Sequence, residues 1–278
     1  MSETNRAQRE YWNGATSKGW VAGQESLDRS LGGATEKLLE RAAIAAGERI
    51  IDIGCGTGQT SLIASEKVGA DGAVLGVDIS ETMLAHARDR ASAESLDNVA
   101  FQVGDAQTDA LMPDANLAMS RFGVMFFEDP TAAFANIKKH MVDGGRLCFA
   151  CWQSPQLNDW VSLPGRIARQ YVTDEKPGDP HAPGPFAFAD ETRVQRILED
   201  AGWRDVVCSP AFFDMWWGKT PETAADSLME RGRLPALIAD LSDETVEKIR
   251  EELTAGLLPS EDGVSLEGAI WIVTARSG

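Results

Sequence analysis

"RIIDIGCGTGQT", Arg49 to Thr60, joins a β-branched apolar run, Ile50, Ile51 and Ile53, to three glycines at alternate positions, Gly54, Gly56 and Gly58. The residues that follow, "QTSLIASEKVG", read as a helix. A strand, a glycine turn and a helix in that order bring backbone N–H groups up to a ligand at a helix N-terminus. A dinucleotide turn is spaced G-x-G-x-x-G, and a phosphate-binding Walker loop ends in Gly-Lys-Ser/Thr. Here the spacing is G-x-G-x-G, and no lysine follows before Lys67. The turn therefore fits a compact group other than phosphate.

Working outward, strand-like and helix-like segments alternate up to Trp152. "AVLGVDIS" is an apolar run ending at Asp78, and Ser80 is placed to cap the helix "ETMLAHARDRASAESL". "NVAFQVGDA" is a third strand reaching Asp105, and "LAMSRFGV" a fourth. Pro130 suits the first turn of "TAAFANIKKHM", which "DGG" is expected to stop before a fifth strand, "RLCFACW". Repeated strand–helix units predict an α/β fold with a mostly parallel, doubly wound sheet covered on both faces.

Beyond Trp152 the pattern changes. Residues 153–189 contain six prolines, Pro155, Pro164, Pro177, Pro180, Pro183 and Pro185, so one short helix near "WVSLPGRIARQY" is the most this stretch holds. A helix resumes after Asp190, a plausible N-cap, and "RDVVCSPAFFDMWW" follows as a strand. A second, mainly helical block opens at Thr220-Pro221. Within it Val246, Ile249, Leu253 and Leu257 share one helix face. "AIWIVTAR" is a last alternating strand, for seven in all.

Bulk properties narrow the function. Lys plus Arg number 26 against 43 Asp plus Glu, a net charge of −17, which repels a phosphate backbone and counts against nucleic acid. No apolar run approaches the ~18–20 residues of a membrane span. The polar start, "MSETNRAQREYWN", predicts a cytoplasmic protein. Cys148 and Cys151 form a C-x-x-C, but on a strand such residues face opposite ways, and no second pair completes a zinc site. They read as buried thiols.

Two aspartates define the ligand further. Asp78 lies 20 positions after Gly58, at a strand end where a carboxylate can accept from a ribose diol. Asp105, ending the third strand, could accept from an adenine amino group, with Ala106 leaving room for the ring. Either alone could equally cap a helix or sit in a solvated loop. Beside the glycine turn they outline a ribose-and-adenine site.

With these motifs in order, the sequence resembles the class I S-adenosylmethionine-dependent methyltransferases. "IIDIGCGTGQT" is similar to that family's first motif, "GVDIS" to its ribose-binding motif and "VGDAQ" to its adenine-contacting motif. "HMVDGGRLCF" is similar to the lead-in to strand five, although Met141 and Asp143 stand where Leu and Pro are common. "SRFGVMFFEDPTAAFANIKKHM" resembles the branch containing quinone-biosynthesis and natural-product methyltransferases.

The resemblance implies a seven-stranded, Rossmann-like sheet with an antiparallel last strand and S-adenosylmethionine as cofactor. It implies an N-terminal helical lid (1–46), a cofactor-binding core (47–152, continued at 190–216, with a last strand at 265–278) and cap insertions at 153–189 and 217–264. Asp52, Gly54, Cys55, Gly56 and Gly58 would line the methionine part, Asp78 would hold the ribose, and Ile79 and Met83 would lie against the adenine. Asp105 and Ala106 would face the adenine edge, and Ser120, Arg121 and Phe122 would sit near the sulfonium. Tyr11 and Trp20 would close over the cofactor from the N-terminal segment.

Aromatic residues concentrate where a lid would lie, which suggests an enclosed, largely apolar acceptor pocket. Met125, Trp152, Asn158, Trp160, Phe186 and Trp216 are its candidate lining. Of three histidines, His86 reads as surface and His140 as a cap on helix carbonyls; His181, in the proline-rich insertion, is the candidate general base. Relatives often carry an aspartate where Asn116 stands, and "CWQSPQLND" offers no carboxylate cluster, so no catalytic metal is expected. The expectation is methyl transfer from S-adenosylmethionine to a small, largely apolar or aromatic acceptor by in-line displacement, in a monomer or homodimer. The alternatives are a cofactor-binding protein without catalysis and, less favoured by the glycine spacing, a nucleotide-dependent oxidoreductase.

Overall fold

β1 (Arg49–Ile53) lies in the interior of the sheet, and Ile50, Ile51 and Ile53 are all buried, as a strand covered on both faces requires. The computed structural model describes residues 3–172, 178–232 and 234–278. Four helices precede β1: α1 (Glu3–Asn13), α2 (Ala15–Ala22), α3 (Gln24–Ser30) and α4 (Gly32–Ala42). After it come α5 (Gln59–Val68), β2 (Ala73–Asp78), α6 (Glu81–Ala93), β3 (Val99–Val103), β4 (Ala115–Arg121), α7 (Pro130–Lys138) and β5 (Met141–Trp152). The expected caps are present: Ser80 Oγ accepts from Met83 N–H on α6, and Asp129 accepts from Ala132 N–H with Pro130 opening α7.

The later half holds α8 (Asp159–Ala168), α9 (Glu191–Asp200), β6 (Arg204–Gly218), α10 (Pro221–Glu230), α11 (Leu234–Ile238), α12 (Asp243–Gly256), β7 (Pro259–Ser260) and β8 (Gly263–Arg276). Asp190 caps α9 through Thr192 N–H, as its position predicts. On α12 Ile249 and Leu253 are buried, and Leu257 just beyond it is buried too. Residues 173–177 of the first insertion, Pro177 among them, lie outside the described residues.

The strands are ordered β3-β2-β1-β4-β5-β8-β6, with β7 paired to β8. β1 to β5 run parallel, while β8 runs antiparallel to both β5 and β6. The sheet thus has eight strands where seven were expected. The extra one, β7, is the short return onto β8, which begins six residues before "AIWIVTAR" because β6 stays paired with it from Arg204 to Gly218.

"DGG" does not stop a helix. α7 ends at Lys138, and Met141 already pairs with Ala115; the chain then spends Val142 to Gly145, with Gly144 at φ +71°, in a bulge before Arg146 meets Leu117. Between β3 and β4 the described chain forms no helix. An open groove of about 470 Å³ runs there, lined by Leu75, Val99, Ala100, Leu111 and Met112, around the strand starts rather than at the glycine-turn end.

Candidate active site

The glycine turn leaves β1 at the C-terminal end of the parallel strands, where open α/β sheets bind ligands. Gly54, at φ +65°, lies so close to Gly123 that an added Cβ would stand 2.6 Å from the Gly123 Cα. Gly58, at φ +86°, would put a Cβ 2.9 Å from Ala87 on α6. The first contact is backbone on backbone, so only glycine closes the two turns against each other. Ser120 fastens them: its Oγ donates to Ile53 C=O at 2.7 Å and accepts from Gly123 N–H at 3.1 Å.

Asp52 is fully buried. Its Oδ2 accepts from Thr60 Oγ1 and Ser61 Oγ, each at 2.6 Å, and its Oδ1 has no hydrogen-bond partner. Burial pushes its carboxyl up to about 6, against the pull of the two hydroxyls and of Arg121. Asp78 ends β2 and accepts from Gly56 N–H at 2.8 Å and Ser80 N–H at 2.9 Å, so it braces the turn it was expected to serve. Burial raises it also, opposed by those backbone donors. Each of its oxygens keeps a further lone pair. Cys55 contributes backbone only: its thiol is buried beneath the turn, at 2.8 Å from where a Gly76 Cβ would stand. Met83 and Ala106 are buried and Ile79 half-buried beside them, while Asp105 Oδ1 closes its own loop by accepting from Gln107 N–H at 2.9 Å.

At the end of β4 the three expected residues part company. Ser120 is the fastener just described, with its hydroxyl used internally. Arg121 reaches back to the N-terminal helices, its Nη1 donating to Thr35 Oγ1 at 2.7 Å and to Gln59 Oε1, and its Nη2 lying 4.0 Å from Asp28. Asp28 also pairs with Arg90 at 3.0 Å, and Arg90 donates to Thr57 C=O of the glycine turn at 2.8 Å. This mesh ties α3 to the turn. Nothing in the sequence spacing of Asp28, Thr35, Gln59 and Arg90 marks it, because its members come from four different helices. Phe122 holds a φ of +67°, rare for an aromatic residue, and stacks on Trp152 with centroids 4.3 Å apart and planes 5° from parallel.

From Trp152 the rings continue as a ladder: to Trp160 at 5.0 Å, then from Trp160 to Phe186 at 5.9 Å and to Trp217 at 6.3 Å. Met125, buried after β4, accepts from Gly184 N–H and ties the insertion to the strand exit.

Four expectations change here. Trp216 points away from the ladder, with Arg29 4.1 Å over its ring; alternation along β6 turns Phe213, Met215 and Trp217 inward instead. Asn158 is structural: it is fully buried, its Nδ2 donates to backbone carbonyls of Ser154 and Ala269, and its Oδ1 accepts from Ala269 N–H and Trp160 Nε1–H. Tyr11 is 56% exposed, whereas Trp12 packs between Trp20 and Phe126, and Asn13 holds the β2–α6 loop through Ile79 C=O and Glu81 N–H. His86 is half-buried, not surface, and its Nε2 is buried without a partner.

His181 sits exposed on its loop, where Asp179 accepts from its backbone N–H. His140 does cap α7. Its Nε2 accepts from Leu111 N–H at 3.1 Å, which leaves Nδ1–H to donate to Asn136 C=O at 2.9 Å. The described residues include no cluster of three metal-ligating side chains and no helix long and apolar enough to cross a membrane.

A parallel sheet finished by antiparallel strands, a glycine turn after β1 and aspartates closing β2 and β3 define the class I S-adenosylmethionine-dependent methyltransferase fold. Residues 44–202 match the methyltransferase domain family, and the chain belongs to it. Over 104 residues the chain is 38% identical to aklanonic acid methyltransferase DauC of Streptomyces sp. strain C5, covering 37% of this chain and 47% of that protein. The chain spans less than half the length of the curated relatives it matches.

Among solved structures, the [4+2]-cyclase SpnF superposes with a TM-score of 0.55 at 19% identity, over 94% of each chain. Phosphoethanolamine N-methyltransferase 2 of Haemonchus contortus, in complex with S-adenosyl-L-methionine, superposes with a TM-score of 0.52 at 18% identity, over 91% of this chain and 57% of that one. At such identities the likeness is one of fold.

Proposed function

We propose that this chain transfers a methyl group from S-adenosylmethionine to a small, largely aromatic acceptor by in-line displacement. The observation that carries the reading is Asp52 Oδ1, a buried acceptor without a partner beside the glycine turn. An unsatisfied buried acceptor calls for a donor, and the ammonium of the cofactor's aminoacyl end is one. The residues fit that group. Asp52 would meet the ammonium, Gly54, Gly56 and Gly58 would leave room for the chain, Asp78 would hold the ribose, and Ile79, Met83 and Ala106 would receive the adenine. When bound, the cofactor supplies an electrophilic methyl on a sulfonium.

The work left to the protein is positioning and water exclusion. Phe122, half-buried and backed by the stacked Trp152 ring, would offer an aromatic face at the exit of β4, suited to a cation. Trp12, Trp20 and Asn13 would close the N-terminal helices over the site. His181 remains the candidate base only for an acceptor that must lose a proton, since its exposed loop would have to fold inward first. One relative's name carries aklanonic acid and another structure's title a phosphoethanolamine, so family membership alone leaves the acceptor open. A [4+2]-cyclase on the same fold shows that the sheet does not dictate the chemistry.

The test is calorimetric titration of wild type and Asp78→Asn with S-adenosylmethionine, S-adenosylhomocysteine and NAD. Micromolar binding of the first two, weakened about tenfold or more in the variant and absent for NAD, is expected for loss of a charged hydrogen-bond acceptor. NAD binding alone would overturn the reading. Binding of the two sulfur compounds without transfer to any acceptor would favour a regulatory, non-catalytic protein.

A further inference from the structure

Two observations at the far end of the aromatic ladder remain unused by the cofactor site. Trp217 is 3% exposed, and its Nε1–H is buried with no hydrogen-bond partner. Four other indole donors are satisfied: Trp160 by Asn158, Trp203 by Phe134 C=O, Trp271 by Ala189 C=O and Trp216 by Asp262 C=O. A buried donor left alone among satisfied ones marks a place where a ligand acceptor belongs.

The second observation is Arg231, which follows α10. Its guanidinium is half-buried and lies over the Trp217 ring, with Cζ 5.8 Å from the centroid. Among the described residues no ion pair holds it; the carboxylate acting on it is its chain neighbour Glu230. It is the C-cap residue of α10, where its backbone is extended (φ −119°, ψ 161°) and its head turns to the ring. A fixed, partly desolvated cation beside an unpaired N–H forms a two-point receptor for one carboxylate. Guanidinium groups recognise that group through paired donors.

Resting on the reading of the chain as a methyltransferase, we infer that its acceptor is an aromatic acid whose carboxylate is held by Trp217 Nε1–H and Arg231. Three ring-to-ring steps link Phe122, beside the glycine turns, to Trp217, so the carboxylate anchor lies at the opposite end of the packed aromatic cluster from those turns. The net charge of −17 repels anions at long range, which leaves the local cation to select for the acid.

The experiment uses the full chain saturated with S-adenosylhomocysteine and compares 6-hydroxy-2-naphthoate with 2-naphthol, which lacks the carboxylate. The naphthoate is expected to bind about tenfold more tightly or better, the scale of a charge-assisted hydrogen bond. Arg231→Gln, which keeps a polar, hydrogen-bonding side chain and removes the charge, should abolish that preference while leaving 2-naphthol affinity in place. Trp217→Phe, which keeps a ring and removes the donor, should weaken the naphthoate several-fold. S-adenosylhomocysteine affinity should be the same in all three proteins.

Naphthoate binding no tighter than naphthol in wild type, or a preference that survives in Arg231→Gln, would overturn the inference. Failure of wild type to bind S-adenosylhomocysteine is a separate result, and it would overturn the cofactor reading beneath.

Discussion

Replacing Gly54 by alanine adds one carbon at a point where backbone meets backbone, and Gly47 provides its control. Both glycines are left-handed, at φ +65° and +78°, but a Cβ at Gly54 would stand 2.6 Å from the Gly123 Cα while one at Gly47 meets nothing within 4 Å. The conformational cost of alanine in this region is ~1–2 kcal/mol and applies to both. At Gly54 the neighbour is main chain and cannot rotate aside, so the two turns must separate. That adds an overpacking cost of ~1–3 kcal/mol. It also strains the Ser120 hydroxyl, which holds Ile53 C=O at 2.7 Å and Gly123 N–H at 3.1 Å.

At ~2 °C of Tm per kcal/mol for a chain of this size, Gly54→Ala should melt ~2–6 °C below Gly47→Ala. Because the displaced turn is the one assigned to the aminoacyl end, S-adenosylhomocysteine should bind at least about tenfold more weakly to Gly54→Ala and normally to Gly47→Ala. Differential scanning fluorimetry and calorimetric titration read the two effects. Equal melting and equal binding of the two variants would refute the close approach as the reason for Gly54.

Two further outcomes follow from single residues. The Asp52 carboxyl is raised from an ordinary 3.8 to about 6, so the native state holds its proton more tightly than the unfolded chain does. Its contribution is therefore fully favourable below pH 3.8 and is lost as the pH rises through 6, for about 3 kcal/mol in all. Urea denaturation of wild type against Asp52→Asn across pH 4 to 7 should show that slope in wild type only; parallel curves would dismiss it. Asn158→Ala leaves Ala269 N–H and the Trp160 indole N–H without partners, while Ser154 C=O and Ala269 C=O keep Leu157 N–H and Gln153 N–H, so it should destabilise the fold by ~2–4 kcal/mol. In the folded fraction ligand affinity should stay unchanged, and a selective loss of acceptor affinity at full stability would return Asn158 to the pocket lining.

The mesh around Asp28 explains why some of the site could be read from spacing and some could not. Asp52, Asp78 and the glycines between them belong to consecutive strand–turn–helix units, so their order along the chain is also their order along the sheet edge. Asp28, Thr35, Gln59, Arg90 and Arg121 meet only because α3 and α4 pack back over the turn; no local pattern records that approach.

What the sequence by itself determined is whatever depends on neighbours along the chain. Ser80, Asp129 and Asp190 cap the helices they precede, Pro130 opens α7, Ile50 to Ile53 form a strand buried on both faces, and the glycines after it turn the chain in left-handed conformations. Capping, proline geometry and alternating burial act over a few residues, and their signals survive in one dimension.

Only the tertiary structure decided which of Trp216 and Trp217 joins the ladder, because the inward face of a strand is fixed by its pairing with β8 and a slip of one residue exchanges them. It also decided that "DGG" is a bulge inside β5, since pairing of Met141 with Ala115 outweighs the local tendency of glycine to end a helix. Asn158 carries the same lesson. A buried amide looks identical in sequence whether it serves a ligand or three backbone groups and an indole, and only the chains brought around it determine which.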